Sequence, residues 1–291
     1  MRSKAFPFAH GGSGGPGYEV GKSGELRLRL APRRGRTVVV DQYWRIPLQV
    51  LPPSYQDDDD TAFFYLLNPT GGIVQGDRLT TDVTLEPGAR SLLSTQSATK
   101  VYRAEDRDAE ERNHFVVAAG AALEYLPDQT IPFAGSRFHR RTVVDLDPEA
   151  TLILADFLAA GRVARGERFG FDRLVTELVV RVAGETRLVD RLQLVPGEHP
   201  LDRLGLWGGH PYFAALYAYS PRATPALAAA LAEVMTSRDG VYAGAGQPEP
   251  AFLVARMLGP TTEDLRQLLF EAWDVLRRAL LGKPARRLRK F

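Results

Sequence analysis

VTLEPGA (83–89), FVVAAGA (115–121) and VDLDPEA (144–150) are three variants of one pattern: a short apolar strand, a turn containing Pro or Gly, and an alanine. A second apolar strand follows each copy: LL (92–93), LEYL (123–126) and LIL (152–154). The alanines at 89, 121 and 150 set a period near 30 residues. One strand–turn–strand unit cannot bury its apolar face alone, so units repeating at a fixed period stack on one another. The expected fold is mainly β, built from hairpin-like units stacked in register. It is either a β-helix-like solenoid or a two-layer β scaffold, and the period alone does not choose between them.

Upstream, Leu26, Leu28 and Leu30 alternate with Arg27 and Arg29, the period of two expected of a half-buried strand. TVVV (37–40) is β-branched and reads as the next strand. PPSYQDDDDT (52–61) is a turn and loop with four consecutive carboxylates. Ahead of all this, HGGSGGPG (10–17) carries no core-forming residue. Residues 1–23 therefore read as a flexible Gly-rich leader and 24–291 as a single β-rich domain. Downstream, helical spacing takes over in two places, near 225–238 and 262–281. In the second, Leu265, Leu268, Leu269, Ala272, Trp273, Leu276 and Leu280 share a face. Glu263 and Asp264 open that helix, Arg277 and Arg278 lie near its end, and Gly282 and Pro284 stop it. The two helices bracket late strands at 241–243 and 252–258, and the basic tail 286–291 is expected to fray.

The chemistry is mostly one of exclusions. A formal net charge of +2 gives no electrostatic footprint for nucleic acid or an anionic membrane. The sequence contains no cysteine, which removes disulfides, thiolate nucleophiles and Cys-based metal centres. No apolar run approaches the roughly 20 residues of a membrane-spanning helix, so a cytoplasmic protein is expected. The five histidines, at 10, 114, 139, 199 and 210, include no pair at metal-ligand spacing. GPGYEVGKS (15–23) nearly spells a phosphate-binding loop. However, Pro16 stands where that motif needs glycine, and an alternating strand follows where a helix should begin. No serine-nucleophile elbow is present. Asp156, Glu167, Asp172 and Glu177 cluster after the repeats and leave open a second reading, a solenoid carbohydrate-acting enzyme. A generic β-rich interaction module is the third.

LNPTGGIVQGD (67–77) is a glycine-rich turn in which Pro69 fixes φ and Gly71, Gly72 and Gly76 permit tight backbone geometry. Together with TQSATKVYR (95–103), LEYLP (123–127), IPF (131–133), DFLAAGR (156–162) and RMLG (256–259), it resembles the urease accessory family UreD, also called UreH. The resemblance runs from about residue 24 to 281, with YAGAGQPE (242–249) where it would call for a clearer turn signature. Its structural signature maps to Asn68, Pro69, Thr70, Gly71, Gly72 and Gly76.

The resemblance implies a non-catalytic scaffold for nickel-site assembly. Such a scaffold binds UreF directly and the GTPase UreG through it, and presents both to urease apoprotein. No stably bound cofactor is expected; nickel would be cargo in transit. A chain without cysteine or paired histidines would guide the ion through hard, weak oxygen ligands that release it again. Asp77, Thr95, Lys100, Asp156 and Glu177 are the candidates for lining such a path. The aromatic-rich segments 204–219 and 265–280 read mainly as core, with a partner surface as the alternative.

Overall fold

The computed structural model describes residues 21–56, 60–236 and 239–288. Most of the expected leader lies outside the described residues, as do three of the four consecutive aspartates. The chain from Lys22 onward belongs to the fold.

The strands in chain order are β1 (Ser23–Arg33), β2 (Arg36–Arg45), β3 (Gln49–Val50), β4 (Ala62–Leu67), β5 (Arg78–Leu85) and β6 (Arg90–Thr95). Next come β7 (Thr99–Val101), β8 (Ala109–Val117), β9 (Ala122–Tyr125), β10 (Thr130–Pro132), β11 (Arg137–Leu146) and β12 (Thr151–Ala159). β13 (Arg173–Val182), β14 (Glu185–Leu194) and β15 (Tyr212–Tyr219) precede helix α1 (Pro225–Met235). β16 (Tyr242–Glu249), β17 (Phe252–Gly259) and helix α2 (Thr262–Leu281) complete the described chain.

Two sheets face each other. One runs β14-β13-β11-β8-β5-β1-β2, the other β16-β17-β15-β12-β9-β6-β4-β3. The middle of each is parallel, and the flanks are antiparallel. The expected strand–turn–strand units are present and stacked, but they are arches rather than hairpins. β5 and β6 lie in opposite sheets, and each pairs with its counterpart in the next coil. Arg78 lies opposite Glu110, and Arg90 opposite Ala122, so one coil consumes about the period read from the alanines.

Those alanines sit at the corners where the chain crosses between sheets. Ala89, Ala121 and Ala150 are 0%, 1% and 0% exposed, so the corner has no room for a larger side chain. Each donates its N–H back across its own turn, to Glu86, Ala118 and Asp147 at 2.9, 3.0 and 2.9 Å. Successive corners are joined by Ala122 donating to Ala89 and Thr151 donating to Ala121, both at 2.9 Å. The turn that repeats in the sequence is thus itself hydrogen-bonded from coil to coil.

The first sheet keeps its outer face in solvent, so β5 alternates buried and accessible residues along its length. The second sheet is buried on both faces, and β12 reads as an almost unbroken apolar run. Its outer face is covered by the helices: Leu227, Leu231, Leu265, Leu268 and Trp273 pack against Ile153, Phe157, Leu216 and Met257. α2 begins where Thr261 accepts from the Asp264 N–H at 3.1 Å and ends at Gly282, whose φ of 72° is left-handed. It is anchored by a buried ion pair: Glu124 of β9 accepts from Trp273 Nε1 at 2.6 Å and from Arg277 Nε at 3.1 Å. The helices occupy the places expected, and α1 ends at Met235.

The late strands expected at 241–243 and 252–258 are present, the first continuing through the glycine-rich stretch as the edge strand β16 (Tyr242–Glu249). Its pairing slips between Gly246 and Glu249, around Pro248. An edge strand needs partners on one side only, which is why glycine and proline are tolerated there. Of the aromatic-rich segment 204–219, β15 is mostly core, whereas Leu204 and Leu206 remain exposed.

Candidate functional site

The space between the sheets is apolar at the arches and polar in its middle. Strand alternation that aims Phe138, Val144 and Leu146 inward also aims Arg140 and Thr142 inward. The neighbouring strands do the same with Glu111 and Asn113 on β8 and Thr176 on β13. Parallel register sets Glu111, Arg140 and Thr176 side by side, and Thr81, Asn113 and Thr142 in a second row. These rows run along the stacking axis, perpendicular to the strands.

Arg140, 7% exposed, is the centre of this network. Its Nε donates to Glu111 Oε1 at 3.1 Å, one terminal nitrogen donates to Asp156 Oδ1 at 3.0 Å, and the other donates to Thr130 Oγ1 at 2.6 Å. Glu111 also accepts from Asn113 at 2.9 Å. Burial works against the guanidinium charge, but Glu111 and then Asp156 more than offset it and raise its pKa. Burial is the largest influence on Asp156 and pushes its carboxyl above the usual carboxylate range, against the pull of Arg140. Burial, reinforced by the Glu111 charge, also raises the Tyr125 phenol.

Two cavities meet at this point. The larger, about 510 Å³, extends between β13, β14 and the 199–207 loop. The smaller, about 130 Å³, lies under the glycine-rich loop and the segment after β6. Tyr125, Pro127 and Arg140 line both. Glu111 faces the smaller one and Asp156 the larger.

The loop at the smaller cavity is held by its own side chains. Asn68 Oδ1 accepts from the Thr70 N–H at 3.2 Å and from Thr70 Oγ1 at 2.6 Å, an Asx-type turn following Leu67. Gly72 passes so close to Tyr102 that an added Cβ would lie 2.4 Å from the ring and 2.7 Å from the Lys100 carbonyl oxygen. Gly76 has a φ of 74°, and Asp77 closes the turn by donating to the Val74 carbonyl at 3.1 Å.

The five residues expected to line an ion path divide between different places. Asp156 and Glu177 border the larger cavity, Thr95 and Lys100 the smaller. Glu177 is paired with Arg141 at 3.0 Å, and Thr95 Oγ1 accepts from the Asp128 N–H at 2.8 Å. Lys100 is exposed. Asp77 borders neither cavity: its two oxygens accept from the N–H groups of Lys22 at 2.8 Å and Val74 at 3.0 Å. The centre itself, Glu111 and Arg140 with Asn113, Thr142 and Thr176, is missing from that set. Its signal was present in the alternation, because a charged residue at the inward phase of an otherwise apolar strand face marks a buried polar site. The acids that suggested sugar chemistry do not share a groove edge as a free pair. Asp156, Glu167 and Glu177 are held by three different arginines, Arg140, Arg162 and Arg141.

Residues 22–290 match the family model described as UreD urease accessory protein. The chain belongs to the UreD family. It is 36% identical over 269 residues to the urease accessory protein UreD of Actinomyces naeslundii, covering 92% of this chain and 99% of that one. With urease accessory protein UreD 2 of Streptomyces griseus subsp. griseus it shares 37% identity over 276 residues, 92% and 94% of the two chains. UreD of Yersinia enterocolitica is 32% identical over 276 residues, 90% of this chain and 85% of its own. Of the glycine-rich stretch 68–76, Asn68, Gly71, Gly72 and Ile73 line the smaller cavity. Among the described residues, no helix is long and apolar enough to cross a membrane, and no group of three or more His, Asp or Glu is arranged to hold a metal.

Proposed function

We propose that this chain is a non-catalytic scaffold of urease maturation in the cytoplasm. It binds UreF, and UreG through it, presents the assembly to urease apoprotein, and leads nickel between its two sheets during GTP-dependent insertion. The observation that carries the reading is the polar row inside an otherwise apolar sandwich, with a cavity on either side of Arg140. Two carboxylates, an arginine and four hydroxyl or amide groups are costly to desolvate at the centre of a core, and, unlike the Glu124–Arg277 anchor, these line the two cavities. Oxygen donors of this kind hold a divalent ion loosely enough to pass it on.

Exposed apolar side chains at both cavities support the scaffold role. Leu206, 47% exposed, lines the larger cavity, and Leu204, 94% exposed, lies just before it in the same loop. Val74 and Tyr102 stand near the smaller. Such side chains favour protein contacts over solvent. Co-expression with UreF and the urease subunits tests the proposal. The chain should co-purify with them and raise the nickel content of urease. Full nickel content without it, or no association with either, would reject the reading.

A further inference from the structure

We propose that Arg140 is a displaceable plug: its guanidinium closes the connection between the two cavities by occupying a seat that a divalent cation takes when the passage opens. The inference rests on the ion-path reading above and adds to it the group that controls the path.

Three observations meet at this residue. The two cavities share it as a wall. Its carboxylate partners lie on opposite sides of that wall, Glu111 toward the smaller cavity and Asp156 toward the larger. All three of its side-chain bonds go to oxygen, the carboxylates at 3.1 and 3.0 Å and the Thr130 hydroxyl at 2.6 Å. The guanidinium is thus a cation already seated among hard oxygen donors, the ligand class that suits a transient divalent ion. While it stays there, a second cation meets like charge, and the Glu111 Oε1, Asp156 Oδ1 and Thr130 Oγ1 atoms are already taken. If it swings into the larger cavity, whose 510 Å³ has room for it, both carboxylates turn to the incoming ion and the cavities become continuous. The seat holds a cation throughout, so neither carboxylate is left bare, and the divalent ion balances the two carboxylate charges that the guanidinium only half offsets.

The test is nickel binding to the purified full chain by titration calorimetry, with melting temperature as a second readout. Wild type should show no saturable site at the plug. Arg140→Ala should bind one nickel ion per chain and melt higher with nickel than without. Methylguanidinium should compete for that site, and adding Glu111→Gln and Asp156→Asn should abolish it. If Arg140→Ala unfolds without metal, nickel or methylguanidinium present during refolding should restore it. A folded Arg140→Ala that binds no nickel, or an unfolded one that neither cation restores, overturns the plug. Those outcomes leave the ion path standing, since it is judged separately by the nickel content of urease. Binding by Arg140→Ala alongside normal urease loading by path variants would instead uphold the plug and reject the path.

Discussion

Gly72 has no space for a side chain, because one added carbon would meet both the Tyr102 ring and the Lys100 carbonyl. The ring can turn, but the carbonyl belongs to backbone held by the Ile73 N–H at 2.8 Å. Gly72→Ala should therefore cost about 1–3 kcal/mol, the usual range for overpacking, and urea unfolding would measure it. Asp77 acts at the same scale. Replacing it with alanine strands the Lys22 and Val74 N–H groups and should cost about 2 kcal/mol. Its effect on urease activation should follow that loss of stability and disappear under conditions where the variant is fully folded. Glu167 has a pH signature. Its hydrogen bond from Arg162 is the main cause holding its pKa below the usual value, helped by the Ala134 N–H at 2.9 Å. A depressed folded pKa means stability that is present above the unfolded value, about 4.3, and lost as pH falls through the folded one. Glu167→Gln should accordingly flatten the fall in melting temperature below about pH 4. An unchanged acid limb would show that the Arg162 clamp contributes nothing.

Among the elements, α2 depends on a contact far away in sequence. Glu124 and Arg277 are 2% and 3% exposed and bound to each other, with Trp273 on the same carboxylate. Removing one partner of a buried pair leaves the other charged and dry, at a cost of about 3–5 kcal/mol. Glu124→Leu should show that loss, with hydrogen exchange rising first along α2. The exposed cap Thr261→Ala should cost only about 1 kcal/mol. α2 itself was legible, because its apolar stripe, acidic first turn and terminal glycine all agree. Its anchor was not, since nothing local in LEYL marks Glu124 as facing a helix 149 residues later. The strand β16 was legible only at its start, 241–243, for a related reason. Glycine and proline in YAGAGQPE carry turn propensity, and only the sheet edge supplied by β17 overrides it.

The molecule as a whole is a stack of coils, and its repeat was readable because each corner makes the same demand. Buried alanines bend the chain from one sheet to the other, so Ala121→Leu should disturb two adjoining corners and lower the unfolding midpoint more than Ala→Leu at an exposed site. The path between the sheets was only half readable. Asp156 and Glu177 were singled out as acids near the repeats, and they do border a cavity. Arg140 and Glu111 carry only a local signal, a charged residue at the inward phase of an otherwise apolar strand face. What the sequence could not give is the register between coils, which alone brings residues 111, 140 and 156 together. The central claim is that these groups serve nickel rather than the fold. Glu111→Gln/Arg140→Met/Asp156→Asn removes all three charges with little change in volume, a swap that buried ion pairs often tolerate without loss of stability. The decisive measurement is the nickel content of urease matured by this variant, with its association with UreF and urease verified. The account predicts an assembled complex with nickel content reduced several-fold. Wild-type nickel content in that complex would contradict it.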